Sequence, residues 1–508
     1  MQKTNQDKTV EPQKTKIWQT LVIVFLCLLP FLLASIPFLQ KGQPLSAYTS
    51  IYSDEIDYWA EAISISQYGL TAKNTGYFGY NANNTAKVLN YGPHSFFSLM
   101  PYALVGKIFN AQPVMMLATN MLLISLATLI FYLLTRSLKK TALLTLLLYT
   151  FSPFLYYIFT SMIELLIFAC MIVLCALYYK SLNEEEKPFY RKLYIALVII
   201  FSLFRVTIIF FLVPIFIKEI FDKPKKWWWA SLKFVLIALS VAIIVSITSA
   251  VYPWWFHVQL LESSNKIVFF LRHGFSSSIK FFLPAYNSPI ELVFNYTYIL
   301  WFAFLSISFF KRIRTLNNTE RNFQLGQITI QAFNLIFILF LYDFNELAGF
   351  RFLTPVLFFS VLSVMTNQTI SKPKKWAAAL SISIWLALMI AFIPISGRLY
   401  KDQVDRRLQP KPKIQLFSHI PFNPVAKDRW ENTIYMDIFA FTYLDYGSFE
   451  PGLGMMYFRA DELDDILAAG GAESLKARYI ISSSDWTPPG YKPLHQDNGI
   501  HLFLKMEP

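Results

Sequence analysis

Charge is scarce in this chain. Only 15% of its 508 residues are Asp, Glu, Lys or Arg, against about 25% in an ordinary soluble domain. Hydrophobic residues make up 55% and aromatics 17%. That balance excludes a soluble enzyme and a disordered chain, and leaves a polytopic membrane protein. Cysteine is nearly absent. Cys27, Cys170 and Cys175 all lie inside apolar runs, so no disulfide framework is expected. Histidine numbers six, with no HExxH and no His-Cys cluster to close a zinc site. There is no GxGxxG and no P-loop, which argues against a nucleotide-sugar donor held in a Rossmann fold. No repeat of fixed period appears, which weakens a transporter built from repeats.

What the chain has is apolar runs. A spanning helix needs about 20 mostly apolar residues. Eleven segments qualify as candidates: 17–39, 112–135, 141–159, 163–180, 192–204, 206–221, 229–251, 290–310, 325–342, 352–366 and 376–395. The pair at 192–221 consists of two short halves divided by Arg205. The first segment is too long for a signal-peptide core and lacks a small-residue cleavage site, so it reads as a retained anchor.

Basic residues cluster in alternate loops. They are Lys3, Lys8, Lys14 and Lys16; Arg136, Lys139 and Lys140; Lys187, Arg191 and Lys192; Lys223, Lys225 and Lys226; Lys311, Arg312 and Arg314; and Lys372, Lys374 and Lys375. The positive-inside bias then puts the N-terminus in the cytoplasm, and eleven spans put the C-terminus outside. These clusters account for the net charge of +13 without nucleic acid. Trp227, Trp228, Trp229 and Trp376 follow two of them, as interfacial anchors do. The expected organisation is a cytoplasmic tail (1–16), a membrane domain (17–395) and an extracytoplasmic domain (396–508). Two long outer loops, 40–111 and 252–289, interrupt the membrane domain. The tail alternates apolar and polar residues at 476–486 and 499–506, which read as strands, and 460–471 reads as a helix ended by glycine. A small α/β or α+β domain is expected there.

Acids gather just after the first span. In "YSDEIDYWAEA", Asp54, Glu55 and Asp57 cluster and Glu61 follows. Two readings stay open. Ser53 caps a helix whose dipole favours acids in its first turn. Alternatively, one carboxylate is a general base near the bilayer surface, suited to taking a proton from a sugar hydroxyl. Further along, "NYGPHSFFSLMPYALVGKIFNAQP" (Asn90 to Pro113) begins an amphipathic stretch at Pro93 and His94 that is more interfacial than spanning.

These features together resemble the GT-C glycosyltransferases. The acidic pair after span one, the loop, the proline-containing turn and the amphipathic helix form such an opening. The nearest likeness is to the aminoarabinose, protein O-mannosyl and lipopolysaccharide-core transferase branches. "SPFLYYIFTSMIE" (Ser152 to Glu164) is similar to the second external loop, with an acid starting the fourth span. "FSLFRVTIIF" supplies an Arg at position 205, and "AGFRFLTPVLFF" an Arg-x-x-x-Pro at Arg351. The chain departs at the first-loop turn, where Tyr91, Gly92, Pro93 and His94 carry one proline rather than two, and in using Glu164 where Asp is usual.

The resemblance implies a polyprenyl-phosphate sugar donor, a lipid, glycan or protein acceptor, and reaction on the outer face of a bacterial plasma membrane. Asp54 would be the base, with Glu55 or Glu164 orienting base or acceptor. His94, Arg205, Arg272 and Arg351 would hold the donor phosphate, and Asp57, Tyr58 and Tyr91 would line the acceptor side. No metal ligand set is implied, and a divalent cation is compatible. The residues also admit plainer roles: snorkelling for Arg205, and a local pair of Arg351 with Asp343 or Glu346. A polysaccharide polymerase or ligase would place its key Arg and His residues in a late loop and would not need the acidic pair. A transporter would show paired charges near the midplane. If the transferase reading holds, Asp54, Glu164, Arg205 and Arg351 converge.

Overall fold

The computed structural model describes residues 13–51, 53–69, 77–78, 96–110, 112, 114–183, 186–222, 224–248, 263–287, 289–341, 348–367, 401–408, 416–423, 429–437, 440, 452–458, 477–483 and 487–506. The expected last span (376–395), the expected tail helix (460–471), Tyr91 and His94 lie outside these. Fourteen helices are described here by label. They are α1 (Gln13–Lys41), α2 (Ser53–Tyr68), α3 (Phe96–Phe109), α4 (Met115–Thr135), α5 (Leu138–Thr150), α6 (Ser152–Tyr157), α7 (Glu164–Leu182), α8 (Pro188–Phe204), α9 (Val213–Asp222), α10 (Trp227–Thr248), α11 (Lys266–Phe282), α12 (Pro289–Arg312), α13 (Asn318–Leu341) and α14 (Ala348–Thr366).

Among the described residues, six helices are long and apolar enough to cross a membrane: α1, α4, α7, α10, α12 and α13. Two shorter apolar helices, α3 and the Arg351–Thr366 part of α14, join them. These helices do not by themselves confirm the expected count of eleven, one of which lies outside the described residues. The expected span 141–159 is two helices. Phe151 is extended (φ −85°, ψ 104°) and Pro153 opens the next helix, because the residues around a proline favour a break over a continuous ladder. The pair 192–221 is a hairpin. α8 ends at Arg205 in extended conformation (φ −149°, ψ 114°), and the chain returns through a 3₁₀ turn, Val206–Leu212, into α9. Tyr194 Oη donates to the Phe211 carbonyl at 3.0 Å across that hairpin.

α7 is the central helix. Nearly all its residues are buried, as an all-round apolar helix requires. It packs against α4, α8 and α14. Its end lies beside the end of α4, where Lys180 Nζ donates to the Leu134 carbonyl at 2.8 Å. Glu164 is therefore at the opposite end of the bundle from the basic 136–140 turn. α11 is amphipathic, capped by Asn265 Oδ1 on the Val268 amide. Ile267, Val268, Leu271, Phe275 and Ile279 are exposed along it, a stripe suited to lying in a membrane interface.

The C-terminal part forms a six-stranded mixed sheet in the order β1-β3-β2-β4-β6-β5, with β1 Tyr77–Phe78, β2 Thr433–Asp437, β3 Gly454–Phe458, β4 Tyr479–Ser482, β5 Tyr491–Asp497 and β6 Ile500–Lys505. β4 and β6 fall inside the two stretches read as strands from sequence. β1, β3, β2 and β4 run parallel, and β6 and β5 are antiparallel. The edge strand β1 comes from the first long loop, pairing Tyr77 with Met455 and Phe78 with Met456. The sheet is thus shared between the tail and that loop.

Candidate functional site

Four charged side chains from four separate elements meet at one end of the bundle. Asp54 lies in the first turn of α2, and Glu164 is the first residue of α7. Arg205 sits at the break after α8, and Arg351 lies in the first turn of α14. The break at Arg205 is what delivers its side chain, since a continuous helix would carry it along a packed face. Irregular backbone at such depth is sustained where protein or a polar cavity surrounds it.

Arg351 is the hub. Its Nε donates to Glu164 Oε1 at 2.7 Å, its Nη1 to Asp54 Oδ2 at 2.5 Å and its Nη2 to Tyr58 Oη at 3.0 Å. Arg205 Nη2 reaches the same Glu164 oxygen at 3.3 Å, and its Nη1 donates to the Arg351 carbonyl at 3.2 Å. The Arg205 guanidinium also lies 4.8 Å from the centre of the Phe352 ring. The cluster sets two carboxylates against two guanidiniums. Glu164 is wholly buried, with no hydrogen-bond partner for its Oε2 among the described residues, whereas the Asp54 side chain is 32% exposed and Arg351 23%. Burial pushes the Tyr58 phenol well above its ordinary range, so it stays a neutral hydroxyl. Asp343 and Glu346, the local partners expected for Arg351, lie outside the described residues.

The arrangement presents a partly exposed carboxylate held by a guanidinium, with a second guanidinium, 146 positions away in sequence, sharing the Glu164 carboxylate with it. Chemically it offers a base and two forked cations for an anion.

Glu55 is elsewhere. Neighbouring helix residues do not share a face, and its carboxylate turns from the Asp54 cluster into a buried pair with Arg407, at 2.8 Å, both side chains 0% exposed. It also accepts from the Ser161 amide at 2.7 Å and the Ile51 amide at 2.9 Å. Glu55 is thus placed beside Asp54 in sequence but in a separate buried junction, away from the Arg351 guanidinium. Asp57 is buried on α2. Arg272 is exposed on α11, where no described contact joins it to the Arg351 cluster. His273 beside it faces Ser277 at 3.4 Å.

Sequence reading missed Arg407 and Tyr48. One signal was present: Arg406 and Arg407 follow the last apolar run on the side expected to be poor in basic residues. Basic residues against the positive-inside bias call for acidic partners. Among the described residues, no group of three or more His, Cys, Asp and Glu side chains is placed to hold a metal ion.

No protein-family profile matches the chain, and no curated protein sequence does. Nine solved chains are similar. One is the crystal structure of ArnT from Cupriavidus metallidurans bound to undecaprenyl phosphate, 11% identical, with a TM-score of 0.51 over 97% of this chain and 98% of that one. At that identity the likeness speaks to fold. The chain is an integral membrane protein that shares the polytopic helical fold of that structure.

Proposed function

We propose that this chain is a glycosyltransferase that moves a sugar from a polyprenyl-phosphate donor to a hydroxyl acceptor at the outer face of the membrane, with inversion at the anomeric carbon. The observation that carries the reading is the meeting of Asp54, Glu164, Arg205 and Arg351 at one end of a bundle whose architecture is that of a protein solved with undecaprenyl phosphate.

In this reading Asp54 removes the proton from the acceptor hydroxyl. The acceptor oxygen attacks the anomeric carbon from the face opposite the phosphate. The bond from that carbon to the phosphate oxygen breaks, and its electron pair leaves with the polyprenyl phosphate. One carboxylate is sufficient for this single displacement, unlike the pair required for glycoside hydrolysis. The departing phosphate needs charge stabilisation, which Arg351 and Arg205 are shaped to give. Glu164 holds the two guanidiniums in place while it is itself shielded from solvent. Tyr58 and Asp57 stand on the helix that carries the base and are assigned to the acceptor side from the resemblance alone. His94, Tyr91 and Arg272 are assigned further donor and acceptor contacts from the resemblance alone. In this reading the exposed apolar stripe of α11 rests in the outer interface. A divalent cation, if it takes part, adds to the neutralisation of the phosphate.

The testing experiment incubates purified wild-type and Asp54→Asn protein with a panel of polyprenyl-phosphate sugars and follows polyprenyl phosphate by mass spectrometry. Release by the wild type alone is expected. Equal release by both proteins removes Asp54 from the role, and no release from any donor by folded protein defeats the transferase reading for that panel.

A further inference from the structure

The segment 401–408, which leads into the C-terminal sheet, grips the chain on either side of the base. Lys41 at the end of α1 pairs with Asp405 at 2.5 Å. The Thr49 amide donates to the Arg407 carbonyl at 3.0 Å. The Arg407 guanidinium, wholly buried, donates to Glu55 at 2.8 Å and to Tyr48 Oη at 3.4 Å. Tyr48 in turn reaches Ser161 Oγ at 3.1 Å and the Phe159 carbonyl at 3.3 Å. Burial pushes the Tyr48 phenol up, so it remains a neutral donor there.

Glu55 completes the junction. One oxygen takes the Ser161 amide, three residues before Glu164, and the other takes the Ile51 amide and Arg407. Two segments that bear the Asp54–Arg351–Glu164 cluster are therefore joined through one carboxylate, and Arg407 neutralises it. The far end of α2 is held by the same C-terminal part. The Gly452 amide donates to Ser64 Oγ at 3.0 Å, and the rings of Tyr68 and Phe422 lie 5.2 Å apart. A helix of 16 residues is roughly 24 Å long, so the tail holds a rigid rod at both ends.

We propose that Arg407 is a positioning residue for transfer: through Glu55 it fixes the first turn of α2, and so Asp54, against Glu164 and Arg351. The proposal rests on the reading of Asp54 as base. It gives the C-terminal part a task in the reaction, namely to set the geometry of a carboxylate that lies outside it. Misplacement of a reacting group by about 1 Å is enough to slow a reaction about 10²-fold.

The test uses the full chain. Arg407→Met alone strands a buried carboxylate and risks misfolding, so the main variant is the charge-balanced pair Glu55→Gln with Arg407→Met. A buried ion pair replaced as a whole by neutral groups of similar size is commonly tolerated. Arg407→Lys, which keeps the charge and loses the fork, is the second variant and carries the comparison if the pair does not fold. Two readouts are taken. Amide exchange over 51–68 reports the hold on α2 whether or not a donor is turned over. Steady-state kinetics on the polyprenyl-phosphate sugar that the wild type turns over separates kcat from KM.

The expected result is faster exchange in the first turn of α2, kcat down about tenfold or more, as misplacement of a reacting group predicts, and donor KM unchanged. Unchanged exchange overturns the proposal. Faster exchange with wild-type kcat also overturns it and leaves Arg407 a purely structural residue. Wild-type protein that releases nothing while the variant's exchange rises defeats the transferase reading, and the role of Arg407 in transfer with it. Asp54→Asn run in parallel marks the separate case of an active wild type whose base lies elsewhere: its turnover then stays intact, and the role of Arg407 in placing Asp54 for transfer falls with it.

Discussion

Arg351 Nη1 lies 2.5 Å from Asp54 Oδ2, across 297 positions of sequence. The guanidinium expected to receive the donor phosphate is thus already engaged by the carboxylate expected to act as base. Under the proposed function, a phosphate arriving at Arg351 would compete with Asp54 for the same fork and so free the carboxylate for the acceptor.

Asp54→Asn therefore carries a double signature. Loss of a general base is expected to lower turnover by about 10²-fold or more. Removal of one negative charge from a balanced cluster leaves it positive, so under the proposed function polyprenyl phosphate is expected to bind more tightly than to wild type. Titration of the phosphate into both proteins, alongside turnover, checks both halves. Weaker binding by the variant would contradict the competition.

Arg351→Lys is expected to behave as a non-conservative change. Three nitrogens of Arg351 serve three different acceptors, and an ammonium cannot span them. Donor KM should rise and kcat fall. Arg205→Lys gives up one carboxylate contact, one carbonyl and the face of the Phe352 ring and leaves the Arg351–Asp54 pair in place, so its effect should be smaller. Kinetic constants for the two variants on one donor give the comparison.

Glu164→Ala tests the strut. It is 0% exposed between two guanidiniums, and removing one member of a buried ion-pair network costs about 3–5 kcal/mol. Thermal unfolding in detergent should show a lower midpoint than wild type. A midpoint equal to wild type would mean that the cluster is open to water.

Gly326→Ala tests the bundle away from the site. A methyl group there would run into the Tyr178 hydroxyl and the Pro214 ring. It would push Tyr178 off the Phe323 carbonyl, to which it now donates at 3.1 Å. Overpacking of this kind costs about 1–3 kcal/mol. Thermal midpoints should fall while the Asp54 cluster, at the other end of α7, keeps its turnover.

Much of the fold was legible. Apolar runs placed α1, α4, α7, α10, α12 and α13, because a segment that must bury its backbone in lipid has one solution, a helix, and a composition to match. Alternation in the tail placed β4 and β6. The break at Arg205 was visible as a charge between two short runs. The break at Phe151 was missed because leucines and tyrosines on both sides kept the segment apolar, and hydropathy does not register a proline turn. The strand β1 was missed because two residues carry no periodicity, and its partner lies 378 positions away at Met455.

The acids after the first span were visible in the sequence, but not their division of labour. Composition and order determined a membrane-embedded helical chain with carboxylates and guanidiniums near its span ends. Only the tertiary structure decided that Asp54 and Glu164 share Arg351 while Glu55, one residue along the same helix, is given to Arg407. The reason is geometric. Successive residues of a helix are turned about 100° apart, so adjacent acids address different neighbours, and which neighbours those are depends on how distant segments of the chain pack.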